Sequence, residues 1–210
     1  MPTDIIIASE NAHKAKEIQA LLGPEFLCRT LRDFPDAPEV EEDAATFAGN
    51  AVKKALTLVN WLKQSEDHTE GWVLADDSGL EVDALDGAPG VLSARYAATE
   101  RQPGNSPDEQ NNAKLLLELK GRAAHHRAAR FRCVIALARA GQYNHPKIFN
   151  GTCEGRIEEA ARGTHGFGYD PLFVPDGHEQ TFGELGESVK SQLSHRSAAL
   201  RELKDWLANH

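Results

Sequence analysis

Residues 73–82, Val-Leu-Ala-Asp-Asp-Ser-Gly-Leu-Glu-Val, constrain this chain more than any other stretch. An apolar run from Trp72 to Ala75 reads as a short buried strand. It leads into two adjacent carboxylates, Asp76 and Asp77, placed by this reading at or just past the strand end. Ser78-Gly79 reads as turn chemistry, since glycine lets the chain double back. Carboxylates at the mouth of a buried strand are costly unless something compensates them. A hard divalent cation does so: Mg²⁺ takes oxygen ligands and meets polyphosphates through one or two carboxylates. Two solvated turn-forming aspartates are the competing reading.

The rest of the chain sets the frame. Its 210 residues fit a single domain over residues 1–210, with room for two lobes and a sizeable core. A net charge of −9 argues against a nucleic-acid polymer as partner, which calls for a basic surface. Cys28, Cys133 and Cys153 are widely spaced and lack metal-ligand spacing, the pattern of reduced structural thiols in a cytoplasmic protein. The N-terminus carries no signal-peptide pattern, and no apolar run is long enough for a membrane span.

Asp4–Ala8 reads as a buried strand. It runs into Ser9-Glu10-Asn11-Ala12-His13-Lys14 and a helix with Ala15, Ile18 and Leu22 on one face and Gly23 as its stop. A helix N-terminus presents free N–H groups and suits phosphate; a plain N-cap role for Ser9 or Asn11 competes. Phe26–Leu31 reads as a second strand, and most of the acidic stretch from Asp33 to Asp43 as solvated loop. A helix over Thr46–Gln64 presents Phe47, Ala51, Ala55, Leu58 and Leu62 as a core stripe. Residues 65–71 and 101–105 read as polar connections. Ser106-Pro107-Asp108-Glu109 opens another helix, with Ser106 as cap and Pro107 in the first position. Arg127–Arg139 alternates with period two and reads as a long strand; Phe149–Ala161 gives one or two more, and Pro171–Pro175 a short one. Ser194 caps a terminal helix packed through Ala199, Leu203, Trp206 and Leu207. Helices and strands in this order predict an α/β fold with a mixed sheet, whose ligand sites lie at strand ends.

Five short motifs then stand in register: Ala8-Ser9-x-Asn11-x-x-Lys14, Ala75-Asp76-Asp77-Ser78-Gly79-Leu80, Gly87-Ala88-Pro89-Gly90, Gly166-Phe167-Gly168-Tyr169-Asp170-Pro171 and Ser194-His195-Arg196. Together they resemble the inosine triphosphate pyrophosphatase family, which hydrolyses noncanonical purine nucleoside triphosphates, over nearly the whole chain. The resemblance implies an elongated, two-lobed α/β homodimer built around a long mixed sheet with flanking helices and a central cleft for the nucleotide. It also implies Mg²⁺-dependent cleavage of the α–β bond of ITP, dITP and XTP to a monophosphate and pyrophosphate. Two departures are visible: Ser9-Glu10 stands where the family often has Thr-Gly, and Gly49 where a glutamate is usual.

Carried onto this sequence, the resemblance makes Asp77 metal ligand and general base. Glu41 is the second ligand with Glu42 as fallback, and Asp76 an outer ligand or a structural residue. Ser9, Asn11, Lys14 and Lys54 (Lys53 in reserve) meet the phosphates, and Ser78 a phosphate or the sugar. Phe167, Gly168, Tyr169, Asp170, Lys190, His195 and Arg196 bind the remainder of the substrate, Phe167 by stacking on the base. A hypoxanthine or xanthine edge presents an O6 acceptor and an N1–H donor. Arg196, a donor only, and Asp170, an acceptor when ionised, complement it, while adenine reverses both groups. A nucleotide sensor that does not hydrolyse, or a hydrolase of other modified nucleoside triphosphates, are the rival readings.

Overall fold

The computed structural model describes residues 3–9, 11–64, 71–99, 104–139 and 142–209. Glu10 and most of the two polar connections, residues 65–70 and 100–103, lie outside them. The elements run β1 (Thr3–Ile7), α1 (Ala12–Leu22), β2 (Phe26–Thr30), α2 (Phe47–Gln64), β3 (Trp72–Val82), α3 (Asp108–Glu118), β4 (Ala128–Arg139), β5 (Gln142–Ile157), β6 (Phe173–Pro175), α4 (Phe182–Leu193) and α5 (His195–Leu207). The strands form one mixed sheet in the order β2-β1-β3-β4-β5-β6. β1 is parallel to β2 and to β3, whereas β5 and β6 are antiparallel. The α/β class expected from the element order is the class observed.

The fold divides into two compact units. The first comprises residues 1–77, 133–150 and 199–210, the second residues 78–132 and 151–198. In the first unit Ile5, Ile6 and Ile7 are all fully buried, as a parallel strand covered on both faces requires. Ile5 and Ile7 pack with Ala15, Ile18 and Leu22 of α1, Cys133, Ile135 and Leu137 of β4, and Ala199, Leu200 and Leu203 of α5. The α1 stripe read from the sequence is therefore core, and Gly23, at φ 88°, ends the helix as expected. In the second unit Leu80, Val82, Phe131, Tyr169, Phe173 and Phe182 form a separate core.

Several local expectations fail for definable reasons. β3 does not stop at Ala75; it continues as strand through Asp76, Asp77, Ser78 and Gly79 to Val82, so Ser78-Gly79 is no turn. A strand tolerates Gly79 where neighbouring strands hold its backbone, and lysines supplied by α1 and α2 satisfy the carboxylates. Ser106 does not cap α3, whose flanking residue is Pro107 with no side-chain cap bond. Of the one or two strands expected over Phe149–Ala161, one forms, but it begins earlier, at Gln142, and ends at Ile157. α4 is an element beyond those expected above; Thr181 and Glu184 open it with a capping box whose signal along the chain is Thr-x-x-Glu. Gly49 does not disturb α2: its N–H donates to Thr46 Oγ1 at 3.1 Å.

Arg127, just ahead of β4, is buried and donates to three main-chain carbonyls: Ile157 at 2.7 Å, Leu119 at 3.0 Å and Glu158 at 2.6 Å. It ties the end of β5 to the C-terminal turn of α3. Replacing Arg127 with Met is expected to cost about 3 kcal/mol, because buried carbonyls lose charge-assisted partners. Urea unfolding measures this, and a cost below about 1 kcal/mol would contradict the role.

Candidate active site

Each unit carries a group of buried polar side chains. In the first unit the group is built on β3. Asp76 and Asp77 are only 1% and 4% exposed, so both charges depend on partners. Successive strand residues face opposite ways, and the two carboxylates accordingly engage different lysines. Asp76 Oδ1 meets Lys14 Nζ of α1 at 2.8 Å, and its Oδ2 accepts from the Cys133 thiol of β4 at 3.0 Å. Asp77 Oδ1 lies 3.5 Å from Lys54 Nζ of α2, and its Oδ2 accepts from Asn50 Nδ2 at 3.0 Å. Lys54 also donates to Glu42 Oε1 at 2.9 Å and to the Asp76 carbonyl at 2.6 Å. Burial pushes the Asp77 carboxyl above the ordinary range. Lys54, Lys14 and the Asn50 bond pull it back, and Glu42 pushes it further up.

Part of the acidic loop is tied to α2. Glu42 and Asp43 pair with Lys54 and Lys53, whereas Glu41 is exposed. It is Glu42, the reserve candidate, that the fold joins to the Asp77 group. At the start of α1, Asn11 is the N-cap: its Oδ1 accepts from the His13 and Lys14 N–H groups. Ser9 Oγ accepts from the Asn11 N–H at 3.3 Å. The loop ahead of the helix is therefore shaped by its own polar side chains.

The second group begins one residue further along β3. Ser78 Oγ accepts from Arg196 Nη2 at 2.9 Å, and Arg196 is 1% exposed. Asp170 Oδ2 accepts from Lys190 Nζ at 2.6 Å and from the Phe167 N–H at 2.9 Å. Lys190 Nζ stands 4.5 Å from the centre of the Phe167 ring, and the Arg196 guanidinium carbon 6.0 Å. His195 is buried against Phe131, their rings stacked at 4.8 Å. The loop is tied down by Gly168 N donating to Asp108 Oδ2, by Asn112 donating to Gly168 O, and by Tyr169 Oη donating to Ser93 O. Gly166 has φ 77°, and a Cβ there would overlap the Asp170 carboxylate, so no other residue fits.

The Ham1 family's sequence profile matches residues 5–206. This chain belongs to the Ham1 family. It is 48% identical over 206 residues to a dITP/XTP pyrophosphatase of Geobacter sulfurreducens, covering 98% of this chain and 96% of that one. To a dITP/XTP pyrophosphatase of Shouchella clausii it is 46% identical over 205 residues, covering 97% and 96%. A Ham1 protein from Coxiella burnetii has the same fold, with TM-score 0.82, 37% identity and 99% and 100% of the two chains matched.

Within this Ham1 chain the structure sorts the residues singled out from sequence. Asp76, Asp77, Lys14 and Lys54 meet in the first unit; Ser78, Phe167, Asp170, Lys190 and Arg196 meet in the second. Gly168 and Tyr169 hold the loop to its neighbours. Two participants were not picked out from sequence, Asn50 and Cys133. Asn50 sits on the same face of α2 as the apolar stripe, and a polar residue within a core stripe was the available signal. Cys133 carried none, since it reads as an ordinary core thiol. Asp77 and Glu42, which both contact Lys54 Nζ, offer hard carboxylate oxygens, the ligand type that suits Mg²⁺. No cluster of three or more His, Cys, Asp or Glu occurs among the described residues. One or two carboxylates completed by substrate phosphates is the usual Mg²⁺ arrangement.

Proposed function

We propose that this chain hydrolyses dITP, ITP and XTP to the nucleoside monophosphate and pyrophosphate, clearing deaminated purines from the nucleotide pool. The observation that carries the proposal is Asp77. It is a buried carboxylate with a raised pKa, one oxygen fixed by Asn50 and the other beside Lys54. Such a group, when ionised, is a stronger proton acceptor than a solvated carboxylate. The names and full-length similarity of the relatives support the same reading.

In this scheme water attacks the α-phosphorus, Asp77 accepts its proton, and the α–β anhydride bond breaks to release pyrophosphate. Lys54, Lys14 and the N-terminus of α1, with Ser9 and Asn11, supply positive charge and donors to the phosphates. Asp77 with Glu42 or Glu41 would hold Mg²⁺, which when bound neutralises phosphate charge and acts as a Lewis acid. Asp76 serves as counter-ion to Lys14. For the base, Arg196 and Lys190 are donors that suit a keto oxygen and oppose the adenine amino group. Phe167 provides the stacking ring. Asp170 acts by holding Lys190 and the Phe167 backbone. Cytoplasmic activity as a homodimer belongs to the same reading, and sedimentation analysis tests the dimer. No described helix is long and apolar enough to cross a membrane.

Pyrophosphate release from a panel of nucleoside triphosphates tests the function. Wild-type protein is expected to prefer dITP and XTP over dATP by 10²-fold or more, on the order seen when a mismatch leaves buried groups unpaired. Arg196→Ala is expected to lose most of that preference. Equal turnover of dATP by the wild-type protein would overturn the substrate assignment, and undiminished preference in the variant would remove Arg196 from base reading. Binding without hydrolysis would favour a sensor.

A further inference from the structure

Asn50 is 1% exposed, and both ends of its amide are committed. Oδ1 accepts from the Ala44 N–H at 2.9 Å, and Nδ2 donates to Asp77 Oδ2 at 3.0 Å. The backbone donor fixes which end is oxygen, so the amide must present N–H to the carboxylate. One helical turn along α2, Lys54 repeats the arrangement: it reaches Glu42 on one side and Asp77 Oδ1 and the Asp76 carbonyl on the other. Residues four apart lie on the same helix face. Two rungs of α2 therefore join the same pair of elements, the acidic loop at residues 42–44 and the centre of β3. Core packing alone does not ask for an amide here: Ala51, Ala55, Leu58 and Leu62 already fill the apolar stripe, and a buried amide is tolerated only when its hydrogen bonds are made.

We infer that Asn50 is a positioning residue for the reaction. It fixes the rotation of the Asp77 carboxylate so that Oδ1 is the oxygen turned toward Lys54, and it sets the acidic loop in register with Asp77. This inference rests on the pyrophosphatase reading for its catalytic consequence, but its geometric half does not. An untethered Asp77 would sample other rotations, and loss of orientation lowers the rate more than it weakens substrate binding.

Asn50→Asp and Asn50→Ala separate the two ties. Aspartate retains an oxygen for the Ala44 N–H and loses the donor to Asp77; alanine loses both. With dITP, both variants are expected to lower kcat at least 10-fold while KM stays within about 3-fold, on the scale of lost preorganisation. Amide hydrogen exchange gives the second readout: Ala44 should lose protection in Asn50→Ala and keep it in Asn50→Asp. Wild-type kcat in Asn50→Asp would overturn the positioning of Asp77. A rise in KM with kcat unchanged would do the same, since that marks substrate binding. Unchanged Ala44 protection in Asn50→Ala would overturn the loop tie. Wild-type protein unable to release pyrophosphate from dITP or XTP would count against the pyrophosphatase reading instead, and the exchange pattern would still decide the clamp.

Discussion

Asp77→Asn is expected to reduce pyrophosphate release from dITP by about 10²–10⁴-fold, the usual contribution of a positioned general base, while leaving the protein folded. The two halves of this expectation have one cause. Burial raises the Asp77 pKa, meaning that the folded protein favours the neutral carboxyl more than the unfolded chain does. A raised folded-state pKa contributes stability that is fully present below the unfolded value and lost as pH rises through the folded value. At neutral pH the ionised Asp77 is therefore a net cost that asparagine removes. Asn50 can still donate to the new amide oxygen, and Lys54 keeps Glu42 and the Asp76 carbonyl. The melting temperature at pH 7 should be equal to or above that of the wild-type protein. Turnover by the wild-type protein, in contrast, needs the ionised form, and it should fall with acidification at a pH above the ordinary carboxylate range. Near wild-type turnover in Asp77→Asn would remove Asp77 as the base. A large drop in melting temperature would show that the loss of activity came from misfolding.

The second large effect is expected at Asp170. Its carboxylate and the Lys190 ammonium form a pair at 2.6 Å with 2% and 7% side-chain exposure. Removing one member of a buried pair leaves an uncompensated charge, at a typical cost of 3–5 kcal/mol. Asp170→Ala also takes the acceptor from the Phe167 N–H and empties the space that Gly166 leaves for the carboxylate. A loss of about 3–5 kcal/mol is therefore expected in urea unfolding. The double variant Asp170→Ala/Lys190→Met should be less destabilised than the single change, because no lone charge remains. A single-variant cost under about 1 kcal/mol, or strict additivity in the cycle, would mean the pair is effectively solvated.

Much of this was legible along the chain. The stripe Ala15, Ile18 and Leu22, the stripe on α2 and the alternation through β4 came from periodicity alone, because one buried face imposes it. The carboxylate pair stood out as charges beside an apolar run, the loop around Phe167–Asp170 as a cluster of glycines and aromatics, and the basic residues near the C-terminus through the family resemblance. What failed was local punctuation. Ser78-Gly79 looks like a turn from its dipeptide chemistry, yet β3 runs through it, since turn propensity is weak against pairing within a sheet. Of the two acidic neighbours, Glu42 rather than Glu41 reaches Lys54, a choice that backbone direction makes and composition cannot.

By itself, then, the sequence determined the α/β class, the core faces, the family and the set of groups available for chemistry. Tertiary structure alone decided the pairings: Lys14 to Asp76, Lys54 and Asn50 to Asp77, Lys190 to Asp170, Arg196 to Ser78. The physical reason is that periodicity and turn preference act over a few residues, whereas a buried charge takes its partner from whichever element folding brings alongside it.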